Sequence, residues 1–194
     1  MDRPKERADA SRNREAILLA ARAIFLEEGA EAATMERIAA AAGVAKGTVF
    51  HRFGSRAGLL HELVAEGAIT LMAAVESGPP PLGPGAPAAE RLLAFFDAFT
   101  RLVGDDIEIS VAYQAIPRHP RSEEFHIFWA THIATLLHEV RPDLDAPVVG
   151  GLLLAPLGSE LVPHMIRSGE YDRLLAAVRQ LVESVLRQPD RRAP

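Results

Sequence analysis

Fourteen residues running from Gly43 to Arg56, GVAKGTVFHRFGSR, hold the densest set of side chains able to do chemistry in this chain. Lys46, Arg52 and Arg56 bring positive charge, Thr48 a hydroxyl and a methyl group, His51 two ring nitrogens and Phe50 an aromatic face. Lysine donates well to guanine O6 and N7, threonine suits a polar base edge or the thymine methyl, and arginine grips phosphate. The chemistry on offer is recognition of a phosphate backbone and of base edges, and it is local. The 194-residue chain has a formal charge of −5, with ten Lys/Arg against eight Asp/Glu in residues 1–60 and eleven against eighteen in residues 61–194. Such a balance argues against a general nucleic-acid coat and leaves room for one small phosphate-binding face.

Other reactive groups are sparse. There is no cysteine, which removes disulfides, thiol nucleophiles and thiolate metal sites and fits a reducing compartment. His126, His132 and His138 are six residues apart, about 600° around a helix, so consecutive members face different sides and no metal site is expected. Asp105-Asp106 after Gly104 and Glu123-Glu124 after Ser122 read as helix-capping carboxylates rather than as a catalytic pair. No nucleophile elbow, H-E-x-x-H, phosphate-cradling glycine loop or dinucleotide fingerprint occurs, so neither enzymatic activity nor a cofactor is expected. Phe95, Phe96, Phe99, Tyr113, Phe125, Phe128 and Trp129 gather most of the aromatic residues between positions 95 and 129. Two readings stand for them: a plain apolar core, and the lining of a ligand cavity in which His132 serves as a hydrogen-bond donor. Acid groups near the cluster are few, so a ligand there would be apolar with one or two polar handles.

The elements that must position these groups are helices. From Ala16 the apolar set Ile17, Leu18, Ala21, Ile24 and Phe25 marks one face of an amphipathic helix that stops at Gly29. Thr34 is expected to cap a short helix carrying Met35, Ile38 and Ala39 inward, and a second short helix should run from about Ala45 through His51. Ser55 can cap a longer helix with Leu59, Leu60, Leu63, Val64, Leu71 and Val75 inward. The stretch SGPPPLGPGAP, residues 77–87, cannot continue a helix. Beyond it, periodic segments at about 88–103, 106–116, 122–140, 147–167 and 171–187 predict an all-α chain of about nine helices. Pro156 and Pro163 imply a kink or break within the fourth of these. The last segment carries an apolar stripe of Leu174, Leu175, Val178, Leu181, Val182, Val185 and Leu186, while 147–167 is apolar on more than one face, through Leu152 and Leu161 among others. Such stripes fit either a subunit interface or an intramolecular core. The charged start lacks the apolar stretch of a signal peptide, and no apolar run approaches the roughly 20 residues that span a bilayer, so a soluble cytoplasmic protein without membrane contact is expected.

Two short helices joined through Gly43 have the proportions of a helix-turn-helix. Ala39 is small enough for the two to cross closely, and Gly43 can take the positive φ of a sharp turn. Ile38, Val44, Val49 and Phe53 are expected to pack on the first helix. That leaves Ala45, Lys46, Gly47, Thr48, Phe50, His51 and Arg52 outward, on the helix that in this motif enters the DNA major groove. Helix starts at Thr34 and Ser55 would present free N–H groups to flanking phosphates.

The pattern extends from Arg14 to Leu60, where I-L-x-A-A-x-x-x-F-x-x-x-G, T-x-x-x-I-A-x-x-A-G-V, G-T-x-F-x-x-F and S-R-x-x-L-L follow one another. This stretch, about a quarter of the chain, resembles the N-terminal domain of the TetR (tetracycline repressor) family of bacterial transcriptional regulators. The resemblance implies a helix-turn-helix DNA-binding domain in residues 1–57 and an effector-binding and dimerisation domain in residues 58–194. It implies a homodimer that represses from a near-palindromic operator on double-stranded DNA and is released by a small apolar effector. Residue by residue, it assigns Thr34 to a phosphate and Lys46, Gly47 and Thr48 to the base-reading end of helix three, flanked by Ala45 and Arg52. Phe50 and His51 fall near backbone and bases, and Arg56 meets a phosphate. Phe50 stands where the family usually has tyrosine and lacks its hydroxyl; Arg56 replaces the usual lysine and keeps the charge. In the C-terminal part the resemblance is architectural. It supports Phe95, Phe99, Tyr113, Phe125, Phe128, Trp129 and His132 as a ligand-binding group, and Leu152, Leu161, Leu174, Val178, Leu181, Val182 and Val185 as a dimer interface. Two rivals stay open: a ligand-independent DNA-binding protein of the same fold, and a helical ligand-binding protein without DNA binding.

Overall fold

The structure, a computed structural model, describes residues 3–117 and 119–187. Among these the chain is helical without a strand: α1 Arg3–Glu28, α2 Met35–Ala41, α3 Lys46–Phe53, α4 Arg56–Ser77, α5 Ala88–Asp105, α6 Ile107–Gln114, α7 Pro120–Val140, α8 Ala146–Leu154, a 3-10 turn Ala155–Gly158, α9 Leu161–Arg167 and α10 Tyr171–Leu186. The tenth α-helix arises where the sequence predicted one kinked segment at 147–167. Pro156 has no N–H to continue the α-helical ladder, so the backbone tightens into the 3-10 turn and stops. Ser159 closes the break, its Oγ donating to the Pro156 carbonyl at 2.7 Å.

Two compact units result, residues 1–67 with 106–118, and residues 68–105 with 119–194. The boundary falls inside α4. In the first unit, α1 lays its predicted stripe of Ile17, Leu18, Ala21, Ile24 and Phe25 against Ile38 and Ala39 of α2, Val49 and Phe53 of α3, and Leu59, Leu60 and Leu63 of α4, with Ile109 and Ala112 of α6 closing the core. Arg14 holds Glu62 at 2.7 Å and Glu66 at 3.1 Å, tying the outer faces of α1 and α4. Asp106 does not cap α6 with its side chain but pairs with Arg22, and Asp105 accepts a hydrogen bond from Tyr171 in the other unit's own packing. Both carboxylates therefore answer to partners far along the chain, not to the local capping role their position suggests.

In the second unit α5 packs against α7 and α10, and α7 against α8. Gly150 lets α8 approach α7 closely, since a Cβ there would lie 2.9 Å from a methyl of Ile133. The end of α10 is capped by the buried Arg141. Its guanidinium donates to the carbonyls of Val185 and Arg187 at 2.6 and 2.7 Å and grips Asp143 at 2.7 and 2.8 Å. A cation at a helix C-terminus is favourable because the last carbonyls carry partial negative charge.

One expectation is corrected: α4 is long and apolar enough, by length and composition, to cross a membrane, as is the bent pair 146–158 with 161–167. Part of the apolar surface of α4 is nevertheless covered by protein, with Leu59, Leu60 and Leu63 buried in the first unit and Ala68, Leu71 and Val75 in the second, while Ile69 is exposed.

The α5–α10 contact makes a checkable demand on one residue. A Cβ on Gly104 would sit 2.6 Å from Tyr171 Cε2 and 2.9 Å from its hydroxyl. That hydroxyl donates to Asp105 at 2.9 Å, and burial together with the neighbouring carboxylate pushes its pKa up to about 12. The ring is thus held and cannot swing aside freely. Gly104→Ala should lower stability by about 1–3 kcal/mol, as overpacking does. Urea unfolding would measure it, and in a Tyr171→Ala background the loss should largely vanish; an undiminished loss there would place the strain elsewhere.

Candidate nucleic-acid interface and ligand cleft

Local chemistry sets the α2–α3 corner. Thr34, in extended conformation, caps α2 by accepting the Arg37 N–H at 3.2 Å. Gly43 takes φ +67°, and Val44 N donates to the Ala39 carbonyl at 3.0 Å, which turns the chain sharply between the two helices. Ala45 begins α3 without a side-chain cap, leaving the first turn's N–H groups unanswered by any side-chain oxygen. Ser55 caps α4 through its Oγ, which accepts from Gly58 N at 3.1 Å.

The outward face of α3 matches the predicted set. Ala45, Lys46, Gly47, Phe50, His51 and Arg52 are exposed and Thr48 half-buried, while Val49 and Phe53 are buried beneath them. Lys46 pairs with Glu36 of α2, and its ammonium also lies 5.5 Å from the Phe50 ring. The hydrogen bond from Lys46 holds the Glu36 carboxyl below the usual carboxylate range. Glu36, which sequence reasoning did not single out, is therefore the partner of Lys46. Its place two residues after the Thr34 cap was a visible signal, because acids favour a first helical turn.

Gly47 carries the most pointed information. It sits within α3, has no positive φ, and a Cβ there would meet nothing within 4 Å. Glycine is a poorer helix former than alanine. Nothing in the fold requires the bare backbone there.

Arg56 is engaged within the chain: its Nε donates to the Ala33 carbonyl at 3.0 Å and one terminal nitrogen to that of Ala30 at 2.6 Å. Its guanidinium also lies 5.3 Å from the Phe25 ring. The turn after α1 leaves these two carbonyls without helical partners, and Arg56 satisfies them.

Comparison with known proteins bears on this geometry. Residues 17–63 match the family model described as bacterial regulatory proteins, tetR family. The chain is 27% identical over 191 residues to the HTH-type transcriptional repressor AcnR of Corynebacterium efficiens, covering 92% of this chain and 94% of that one. Against the HTH-type transcriptional repressor BepR of Brucella suis the identity is 37% over 60 residues, 31% of this chain and only 29% of that one. These matches support a TetR-family transcriptional regulator, with residues 17–63 carrying the family's N-terminal domain. The fold likewise superposes on the regulator FadR from Bacillus subtilis, solved with stearoyl-CoA, at a TM-score of 0.68 with 20% identity, covering 89% of this chain and 97% of that one.

The predicted ligand-binding residues separate into four groups. Phe95, Phe99 and Trp129 pack on one another at centroid distances of 5.6–5.8 Å, with Phe95 and Trp129 buried, and form core. Tyr113 lies in the N-terminal unit, edge-on to His61 at 5.3 Å, and does not join that cluster. Phe128 and His132 alone line a cleft of about 240 Å³ in the C-terminal unit, together with Val75, Glu76, Pro84, Arg91 and Thr131. Phe125 is half-buried and outside the lining. Arg91 was missed, although its i, i+4 relation to Phe95 put it on the same side of α5. His132 is pushed down to about 4 by burial first and by the Arg91 charge second, so its imidazole is neutral near pH 7.

The predicted interface residues also divide. Leu152, Leu161 and Leu181 are exposed, at 67%, 51% and 45%, and Val178 and Val185 are half-covered. Leu174 and Val182 are buried within the chain itself, so their surface is not available to a second subunit. Among the described residues no group of three histidines, cysteines or carboxylates is placed to hold a metal ion.

The role found for Arg56 has a direct consequence. Arg56→Ala leaves two carbonyls unanswered and should cost roughly 1.5–3 kcal/mol of stability, as for bonds to a charged group. The dependence of DNA affinity on salt should stay unchanged. A stability equal to wild type, with the salt slope reduced by about 0.9, would restore the phosphate role.

Proposed function

We propose that this regulator binds a near-palindromic operator as a homodimer, with α3 of each subunit in successive major grooves, and represses transcription until a small ligand occupies the C-terminal cleft. The observation that carries the reading is the bare, exposed Gly47 beside Lys46 and Thr48 at the uncapped start of α3, all on a fully buried footing. Thr34, Ala45, Phe50, His51 and Arg52 are exposed as well. Two such units about 34 Å apart would match one helical turn of DNA. AcnR and BepR are repressors by name, and FadR was solved with an acyl-CoA; the sense of regulation and the presence of an effector follow them. The functional division at residues 57/58 and a cytoplasmic location belong to the same reading.

Gly47→Leu tests it. Stability should be unchanged or higher, because nothing in the chain meets the added side chain, while affinity for the DNA upstream of its own gene should fall at least about tenfold, or 1.4 kcal/mol. Unaltered affinity would remove α3 from the interface. Lys46→Ala should relax preference at one base position per half-site by roughly 1–3 kcal/mol, read by selection of binding sites with the variant.

For the dimer, the exposed Leu152, Leu161 and Leu181 supply the surface that a partner would cover, with Val178 and Val185 at its margin. Leu181→Glu should yield a folded monomer, since the side chain is not part of the chain's own core, and the buried charge would oppose association twice in a symmetric interface. Sedimentation with circular dichroism would show it; a wild-type dimer would exclude this face.

A further inference from the structure

We propose that the cleft in the C-terminal unit selects an organic monoanion, its carboxylate held between Arg91 and His132 and its apolar body along Phe128 and Val75. The inference rests on the effector reading above and changes its chemistry, from an apolar ligand to an amphiphilic acid.

Arg91 makes the first argument. A guanidinium is charged at any ordinary pH and carries five donors. One terminal nitrogen of Arg91 donates to the Val75 carbonyl at 3.3 Å, and its Nε is buried without a partner. Other covered arginines hold acids: Arg14 holds Glu62 and Glu66, Arg22 holds Asp106, and Arg141 holds Asp143. No carboxylate among the described residues forms an ion pair with Arg91. A partly buried charge without a counter-ion is costly, and a bidentate carboxylate is the group a guanidinium fork fits best.

His132 makes the second. Its Nε2 is also buried and unpartnered, and its ring is fixed by Phe95 at 5.3 Å and by parallel stacking on Phe128 at 6.4 Å and 11°. Its Nε2 finds no partner within the chain, and a ligand oxygen in the cleft would supply one. Buried polar atoms are seldom left unpaired, and two of them line this one cleft.

Size and rim complete the selection. A volume of about 240 Å³ equals about eight waters at roughly 30 Å³ each, room for an acid group and a short chain or one ring. Glu76 lines the same cleft and is exposed. A second negative charge on the ligand would meet it, which favours a carboxylate over a phosphate monoester.

Three matched probes test this on the intact protein: octanoate, octanamide and octyl phosphate, followed by calorimetry and by the fluorescence of Trp129, whose ring lies 5.0 Å from Phe128. Octanoate should bind roughly tenfold or more tighter than octanamide, as for a charge-assisted pair, and tighter than octyl phosphate. Arg91→Gln should reduce octanoate to the level of octanamide. Equal binding of octanoate and octanamide by the wild type overturns the anion proposal and leaves a ligand cleft standing. That comparison needs no variant, so poor folding of Arg91→Gln cannot obscure it. Preference for octyl phosphate, or octanoate binding that survives Arg91→Gln, overturns it as well. If no probe binds, both the anion proposal and the effector reading of this cleft fail, whereas DNA binding is judged separately by Gly47→Leu.

Discussion

Helices α2 and α3, of seven and eight residues, are too short to persist alone in water, so the exposed face of α3 depends on the apolar contacts beneath it. Those contacts converge on α1. Phe25 is fully buried among the side chains of α2, α3 and α4, and its ring lies beside the Arg56 guanidinium that ties down the turn before α2. Val49 and Phe53 anchor one side of α3 in the same core, which leaves the other side free of any structural duty. Rigidity of a recognition surface comes here from what it buries, not from helix propensity.

Electrostatics then sharpen that surface. The chain is acidic, yet the acids near α3 are few and specifically engaged. Glu36 occupies Lys46, and Glu28 occupies Arg37. The Lys46–Glu36 pair is exposed, so its strength is modest and falls with salt.

The C-terminal unit follows a different logic. Close helix approach at Gly104 and Gly150 and the Arg141 cap on α10 make a tightly determined scaffold. Against it, the unpaired Nε of Arg91 and Nε2 of His132 stand out as polar groups that the fold leaves unsatisfied. Local costs of this kind collect at functional sites, where another molecule supplies the missing partner.

Much of this was legible from sequence alone, because it is local. Thr34 and Ser55 as caps, Gly43 as the turn, the α1 stripe and the exposed set on α3 all follow from neighbours within a few residues, where helix period and backbone hydrogen bonding decide. Tertiary structure decided what depends on choosing a distant partner. Arg56 was readable as a cation, but only the fold brings it to carbonyls 23 and 26 positions away. The α10 stripe was readable as apolar, but it is too wide to show that Leu174 and Val182 turn inward and Leu181 outward. Likewise the aromatic run gave no sign that Tyr113 packs with the N-terminal unit, or that Arg91 rather than most of the aromatics would line the cleft. Periodicity determines which face of a helix is apolar; which neighbour covers that face is settled only when all the helices compete for the same buried space.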